Sequence, residues 1–265
     1  MVEGRPGRAC TGGASGTKVA ILQPNCHHFM ETYYAVAQIG AVCVPINYRL
    51  SPGEILFILK DSQSKVLVAD PDFSEAVDAI RGAMDEIGAI IWTGDAPPRR
   101  EARDIGYEEA LSGVDSLPLK DAKLTGGDLG QIYYTSGTTG RPKGVMLSHE
   151  NVCVHTLGTI ADLHLTDTDV WIHAAPLFHL ADAWANWAIT WVGGTHVFMR
   201  EFDPKKIFEL IQQEKVTITN LIPTMLNLMV NHPDVGRYDY RSLRVLLSGG
   251  APIAPEVGPL GPLTG

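Results

Sequence analysis

The apolar positions of this chain follow two patterns that alternate along the first part of the sequence. Short runs rich in β-branched residues are typical of buried strands, whereas apolar residues three and four positions apart are typical of helices. The short runs predict four strands: Lys18–Leu22, Val42–Ile46, Lys65–Ala69 and Ala89–Trp92. The helical spacing predicts three helices between them: Cys26–Ile39, Pro52–Lys60 and Phe73–Met84.

The same alternation resumes after a polar stretch. It predicts five further strands: Ile132–Tyr134, Val170–Ala174, Thr195–Met199, Thr217–Leu221 and Leu243–Leu247. Further helices are predicted from His149 after the N-cap Ser148, over Ala181–Trp191, over Pro204–Gln213 after the cap Asp203, and from Thr224. Strands that alternate with helices predict an α/β fold of mainly parallel sheets flanked by helices, in layers.

Composition divides the chain further. Residues 94–124 are polar and mixed in charge, which predicts a surface connection between two α/β parts, 18–93 and 125–256. Residues 1–17 are rich in glycine without periodicity and are predicted to be a disordered or irregular lead-in, and residues 257–265 an irregular tail.

Charge and cysteine content exclude several classes of protein. The net charge of −9 argues against a nucleic-acid-binding surface. The four cysteines are widely spaced without a Cys-x-x-Cys pair, which favours free thiols in a reducing compartment. Neither a signal peptide nor a transmembrane segment is predicted, so we expect a cytoplasmic protein, and peripheral contact with a membrane would suit a lipid substrate.

The strongest chemical signal is the ten-residue segment Thr135–Gly144, which follows the predicted strand Ile132–Tyr134. It contains three glycines, four hydroxyl side chains, Arg141 and Lys143. Glycines allow backbone N–H groups to approach an anion, hydroxyls add donors, and Lys143 adds a mobile positive charge. This composition predicts a site for a polyphosphate. The alternative is a Gly/Thr turn that binds nothing.

This segment is not a Walker loop, because Lys143 is followed by Gly144 and a further apolar turn rather than by Ser or Thr. Over Tyr134–Gly144 it resembles the phosphate loop of the adenylate-forming superfamily, which includes the acyl-CoA synthetases. The resemblance extends from about Lys18 to Glu256 and is greatest to fatty-acyl and related carboxylate–CoA ligases. It implies that the loop holds the phosphates of ATP through these residues: Thr135, Ser136, Gly137, Thr138, Thr139, Gly140 and Lys143.

Two other segments match the same family. Gly249, Gly250, Ala251 and Pro252 follow a predicted strand, and the resemblance implies that this turn contacts adenine. Without the resemblance, the turn would be interpreted as an ordinary strand-to-helix turn. Pro176-Leu177-Phe178-His179 also follows a strand, and the resemblance implies that it lines the carboxylate site with His179 near the reacting acyl group. A structural, hydrogen-bonded role for His179 is the alternative, and a metal site is not predicted for His173 and His179.

The resemblance implies a reaction in two steps. A carboxylate, expected to be a fatty acid, attacks ATP–Mg²⁺ to give an acyl-adenylate, and CoA then displaces AMP, with Lys143 and His179 as the residues closest to the chemistry. The sequence does not include the family's Glu that holds magnesium or its C-terminal catalytic domain. We therefore expect a truncated ligase with weak or no turnover.

Two other functions stay open on the sequence. One is a non-catalytic ATP- or AMP-binding or interaction module, and the other is a dinucleotide enzyme, which the lack of Gly-x-Gly-x-x-Gly after any strand disfavours. An incomplete sheet would leave an open edge that invites self-association.

Overall fold

The structure is a computed structural model, and it describes residues 16–94, 101–112, 122–135 and 141–249. These residues form two compact units. The first unit contains residues up to Pro24 and His28–Asn151, and the second contains Asn25–His27 and the residues from Val152 onward. The predicted boundaries at residues 94 and 124 are not tested by this division and stay a prediction.

The first unit is built around a seven-stranded sheet with the order β5-β4-β3-β1-β2-β6-β7. All neighbouring strands are parallel except β6 and β7, which are antiparallel. The strands are β1 Lys18–Leu22, β2 Val42–Pro45, β3 Val66–Ala69, β4 Ala89–Trp92, β5 Asp104–Gly106, β6 Leu129–Thr135 and β7 Lys143–Ser148. The helices that lie wholly or mostly in this unit are α1 His27–Gln38, α2 Pro52–Asp61, α3 Ser74–Ile80 and α4 Tyr107–Ser112, with 3₁₀ turns at Pro71–Phe73 and Arg81–Ala83.

The second unit is built around a four-stranded, fully parallel sheet with the order β11-β10-β8-β9. Its strands are β8 Val170–His173, β9 Thr195–Phe198, β10 Ile218–Leu221 and β11 Val245–Ser248. The helices that follow in the chain are α5 His149–Leu163, α6 Leu180–Val192, α7 Pro204–Glu214 and α8 Pro223–Val230, with a 3₁₀ turn at Val235–Arg237. The predicted α/β class with mainly parallel sheets is confirmed.

Local signals located several helix starts correctly. The Ser51 hydroxyl and backbone N–H both donate to the Glu54 carboxylate at the start of α2, at 2.7 and 2.9 Å. Asp203 accepts a hydrogen bond from the backbone N–H of Lys206 at the start of α7. Ser148 Oγ accepts from the backbone N–H of Asn151 in the first turn of α5. Side chains of this kind satisfy backbone donors that have no partner within the helix.

Two segments differ from the prediction. Residues 143–148, expected to begin with an apolar turn after Gly144, form strand β7, because Val145, Met146 and Leu147 pair in register with β6. The polar connection contains β5 and the short helix α4, and β5 is a strand only because it pairs with β4. In both places pairing with a neighbouring strand decided the structure, and local composition does not report such pairing.

Each unit has its own apolar core. In the first unit, side chains of β1–β4 pack with those of α2 and α3, and Trp92 is the largest of them, at 1% exposed. In the second unit, β8 and β10 pack with α7 and α8 around Phe208, while Trp171 packs with α6 in a separate cluster. Burial of this apolar surface is the main favourable term in folding each unit.

Within the described residues, no helix is both long enough and apolar enough to cross a bilayer. Strand β11, where the sequence predicts an open edge, is an edge strand of the second sheet within the described residues. Self-association through a sheet edge stays a prediction.

A buried carboxylate joins three segments of the second unit. Both oxygens of Asp169, which is 2% exposed, accept hydrogen bonds from the Arg244 guanidinium at 2.7 and 2.8 Å. Asp169 also accepts from the Thr166 backbone N–H and from the Thr217 hydroxyl. Burial alone raises the pKa of Asp169, but the hydrogen bonds from Arg244, Thr166 and Thr217 outweigh it and lower this pKa to about 2.

We expect this carboxylate to make the second unit sensitive to acid. An Asp in an unfolded chain has a pKa of about 3.9, so the stabilisation from ionised Asp169 is complete above that pH and is lost as pH falls towards about 2. The wild type should exceed Asp169→Asn in free energy of unfolding by about 1–2 kcal/mol at pH 7, and the difference should shrink between pH 4 and 2. Urea unfolding at several pH values measures it. The exposed Asp167→Asn serves as control, and a difference independent of pH would contradict the prediction.

Candidate functional site

The predicted phosphate loop lies between two paired strands. Thr135 is the last residue of β6 and Lys143 is the first residue of β7, and the two are direct cross-strand partners. Both residues are exposed. Directly opposed residues of an antiparallel pair have Cβ atoms about 4.5–5.5 Å apart, so the hydroxyl and the ammonium group can reach one anion. The structure therefore brings these two predicted site residues together at the base of the loop.

The base of the loop is tightly packed. A side chain at Gly144 would place its Cβ 2.8 Å from Ile132 Cγ2 and 3.2 Å from Tyr134 Cζ, so glycine is required at this close approach. The Tyr134 hydroxyl donates to Asp61 Oδ2 at 2.7 Å, which ties β6 to the end of α2. Burial and the contact with Asp61 raise the pKa of Tyr134, so its hydroxyl stays protonated and keeps this hydrogen bond. These contacts fix the two strand ends that carry Thr135 and Lys143.

Several predicted site residues lie outside the described part of the chain. They are the loop residues Ser136, Gly137, Thr138, Thr139 and Gly140 and the turn residues Gly250, Ala251 and Pro252. Their proposed contacts with phosphate and adenine stay predictions.

Gly249 and His179 lie beyond the same edge of the second sheet. Gly249 directly follows β11, and the segment that leads to His179 follows β8. These strands are parallel and separated only by β10. The carboxyl ends of parallel strands form the edge at which open α/β sheets bind ligands. Each residue thus follows a strand, as the sequence predicted, and the roles of both towards a ligand stay predictions.

His179 is exposed and serves as the N-cap residue of α6. Its backbone N–H donates to the Pro176 carbonyl at 3.0 Å, and its carbonyl accepts from the N–H groups of Asp182 and Ala183. Its ring lies 4.4 Å from that of Phe178, centroid to centroid. The backbone of His179 is thus held on both sides while its side chain reaches the surface, an arrangement that suits contact with a ligand.

A buried hydrogen-bonded network supports the first turn of α6. Asp182, which is fully buried, accepts from Trp171 Nε1 at 3.1 Å and lies 2.6 Å from His173 Nδ1. His173 Nε2 lies 2.9 Å from His196 Nδ1, and His196 Nε2 lies 2.9 Å from the hydroxyl of the exposed Thr190. Both ring nitrogens of His173 are therefore engaged within the protein.

His196, at the outer end of the network, is the residue whose protonation state the structure indicates. Burial, and secondarily the neighbouring His173, lowers the pKa of His196 to about 3. Near neutral pH His196 is thus neutral, with one nitrogen that donates and one that accepts. By rotation, the Thr190 hydroxyl can either donate to His196 Nε2 or accept from it. The two histidines consequently stabilise the fold around α6. The sequence analysis considered His173 only as a metal ligand and missed its partner Asp182, nine residues later.

One further polar residue beside the site was missed. Asn25 follows β1 by three positions and is 5% exposed. Its side chain contacts the segment that carries His179. The sequence signal was a polar residue just beyond the carboxyl end of a predicted parallel strand, which is too common to identify Asn25 by itself.

The family of the chain follows from its sequence as a whole. Residues 9–258 match the family described as AMP-binding enzyme. The chain belongs to this family. The match includes the loop between Thr135 and Lys143, the segment before His179 and the turn at Gly249.

Relatives of known name are similar over nearly the whole chain. The long-chain-fatty-acid–CoA ligase FadD13 of Mycobacterium tuberculosis is 35% identical over 246 residues, which are 92% of this chain and 47% of that protein. A feruloyl-CoA synthase of Amycolatopsis sp. is 34% identical over 95% of this chain and 48% of its own length. The chain spans about half the length of these relatives.

Solved structures agree with the sequence comparison. A long-chain-fatty-acid–CoA ligase, FadD1, from Archaeoglobus fulgidus superposes with a TM-score of 0.83 at 28% identity. The similarity covers 95% of this chain and 49% of that one. The fold predicted from the resemblance, part of the large N-terminal domain of an acyl-CoA synthetase, is confirmed.

Proposed function

We propose that this chain carries the nucleotide- and carboxylate-binding part of an ATP-dependent acid–thiol ligase. The observation that carries the proposal is the pair formed by Thr135 and Lys143 at the base of the loop, in a chain of the AMP-binding family. The named relatives act on carboxylic acids, aliphatic in one case and aromatic in another. The proposed substrate class is therefore a carboxylic acid, with a fatty acid as the first candidate, and the proposed acceptor is CoA.

The proposed chemistry has two balanced steps. In the first, a carboxylate oxygen forms a bond to the α-phosphorus of ATP, the bond to the bridging oxygen breaks, and pyrophosphate leaves. In the second, the thiol of CoA attacks the acyl carbonyl, AMP leaves with the electrons of the broken C–O bond, and the thiol proton passes to solvent. Mg²⁺, when bound, would neutralise phosphate charge, and we assign it no ligand among the described residues.

The residues of this chain would contribute by holding and orienting the substrates. Lys143 and the Thr135 hydroxyl, with the hydroxyls of the loop, would bind the β- and γ-phosphates, where negative charge develops as pyrophosphate leaves. Gly249 and the turn after it would contact adenine. His179, on the fixed start of α6, would lie near the carboxylate. Fixed donors and fixed substrate positions are the main means by which a protein accelerates such a transfer.

Replacing Lys143 by alanine tests the proposal. A charge-assisted hydrogen bond contributes about 1.5–3 kcal/mol, so Lys143→Ala should weaken ATP binding by about 10- to 150-fold. Calorimetry measures the affinity for ATP, and fatty-acid-dependent exchange of labelled pyrophosphate into ATP measures the first step. Lys205→Ala, which removes an exposed lysine from α7, controls for the loss of a positive charge.

The outcomes separate the candidate functions. Exchange that is present in the wild type and in Lys205→Ala but lost in Lys143→Ala supports adenylation by this chain. ATP binding that depends on Lys143 without any exchange identifies a non-catalytic nucleotide-binding module instead. Equal ATP affinity in all three proteins overturns the role of Lys143.

A further inference from the structure

One side chain holds the segment that leads from β8 to His179. Asn25 Nδ2 donates to the His173 carbonyl at 2.9 Å and to the Ala175 carbonyl at 2.8 Å. Asn25 Oδ1 accepts from the Leu177 backbone N–H at 2.8 Å. Asn25 and the whole segment belong to the second unit, although 152 positions separate Asn25 from Leu177 in the chain. Both donors of the amide and one of its acceptor sites are therefore used on this segment.

The segment needs an external partner of this kind. Residues 174–178 are all buried, and Pro176 within them has no N–H with which to pair. Buried backbone groups without a partner are costly, about 1–3 kcal/mol each. Asn25 bonds to alternate residues of the segment, much as a neighbouring strand would. It thereby fixes the backbone at Leu177, two residues before His179.

We propose that Asn25 is a positioning residue for the carboxylate end of the site, because it fixes the backbone that presents His179. The inference rests on the role proposed above for His179. The start of α6 holds His179 from the C-terminal side through Asp182 N and Ala183 N. On the N-terminal side the His179 N–H bonds to the Pro176 carbonyl, and Asn25 adds a constraint from outside the segment through Leu177. Without Asn25, α6 would still begin at the same residue, but the segment before His179 would lose three of its hydrogen bonds.

The first readout does not depend on activity. Hydrogen exchange followed by NMR should show that the Leu177 amide exchanges at least about tenfold faster in Asn25→Ala, since it loses its acceptor. Amides of Ile218–Leu221 in β10 should keep their wild-type rates, which shows that the unit remains folded. The matched control is Thr219→Val. It removes another buried hydrogen bond to the β8 backbone, from Thr219 Oγ1 to the Ile172 carbonyl, and should leave Leu177 unchanged.

The second readout separates positioning from a purely structural role. In pyrophosphate exchange with decanoate, Asn25→Ala should raise the KM for decanoate about tenfold or more and leave the KM for ATP unchanged. Asn25→Asp keeps an acceptor for the Leu177 N–H but sets a buried carboxylate oxygen against the His173 and Ala175 carbonyls. It should therefore raise the KM for decanoate at least as much as Asn25→Ala does. If the wild type shows no exchange, titration of decanoate against the His179 imidazole signal gives the same comparison as dissociation constants.

Each result bears on the proposal. An unchanged Leu177 amide in Asn25→Ala overturns the hold on the segment. If hydrogen exchange at the Leu177 amide is faster but the KM values for decanoate and ATP rise equally, Asn25 has only a structural role, and the positioning role is overturned. Failure of wild-type protein to bind decanoate by either method overturns the carboxylate function of His179, and with it the positioning role, while the exchange data still decide whether Asn25 holds the segment.

Discussion

Replacing Asp182 by alanine should lower the free energy of unfolding of the second unit by about 2–5 kcal/mol, because each buried donor left without an acceptor costs about 1–3 kcal/mol. Asp182 and His173 are both fully buried, and the Asp182 carboxylate also accepts from Trp171 Nε1. The alanine variant leaves two buried donors without an acceptor. Urea unfolding followed by hydrogen exchange in β8 and β10 measures the loss for this unit.

Two variants make this result interpretable. Asp162→Ala removes an exposed carboxylate from α5 and should change the free energy of unfolding by less than about 0.5 kcal/mol. Asp182→Asn keeps the shape of the side chain and one acceptor. Its loss in free energy of unfolding should therefore lie between those of Asp162→Ala and Asp182→Ala. A loss below about 1 kcal/mol in Asp182→Ala would show that the network around His173 contributes little to stability.

Replacing Asp104 by alanine should destabilise the first unit to a similar extent, about 3–5 kcal/mol. The Asp104 side chain is 1% exposed, and both of its oxygens accept from Arg81 Nη1, at 3.0 and 3.1 Å. It also accepts from Trp92 Nε1 at 2.9 Å and from the Glu101 backbone N–H at 2.7 Å. Its loss would leave a largely buried guanidinium short of one counter-charge. Thermal and urea unfolding, together with hydrogen exchange of the amides in β3 and β4, measures this loss of stability.

A second carboxylate on the same arginine provides the control. Asp78 Oδ1 accepts from Arg81 Nε at 2.8 Å, but its side chain is 34% exposed. Water can replace the hydrogen bond that Asp78 accepts from Arg81. Asp78→Ala should therefore lower the free energy of unfolding by about 1 kcal/mol or less. Equal losses for the Asp78 and Asp104 variants would contradict the view that burial sets the strength of this cluster.

The elements that could be predicted share one property, which is that a few neighbouring residues encode them. Strand β1 begins and ends at the predicted residues, and α7 begins after its predicted cap Asp203. Periodicity and capping act within about one turn of helix or a few residues of strand, so the sequence reports them directly. Strand β7 and the short pair β5 and α4 were not predicted in this way, because they depend on pairing with β6 and β4.

The candidate site divides along the same line. Thr135, Lys143, His179 and Gly249 were proposed because they lie in short segments whose letters match a family. Asn25 and the partners of His173 were not found, because their chemistry arises from contacts between distant positions. A lone asparagine after a strand and a lone aspartate in the first turn of a helix are common, and only their buried hydrogen-bond partners distinguish these two.

By itself the sequence determined the α/β class, most of the helices and strands, and the family, since each of these is encoded locally or in a contiguous motif. The tertiary structure alone decided that Thr135 faces Lys143 across a strand pair, that Asp182 bonds to His173, and that Asn25 holds the segment before His179. The physical reason is range. Hydrogen bonds between groups up to 152 residues apart exist only after the sheets have formed and water has been excluded from between the elements.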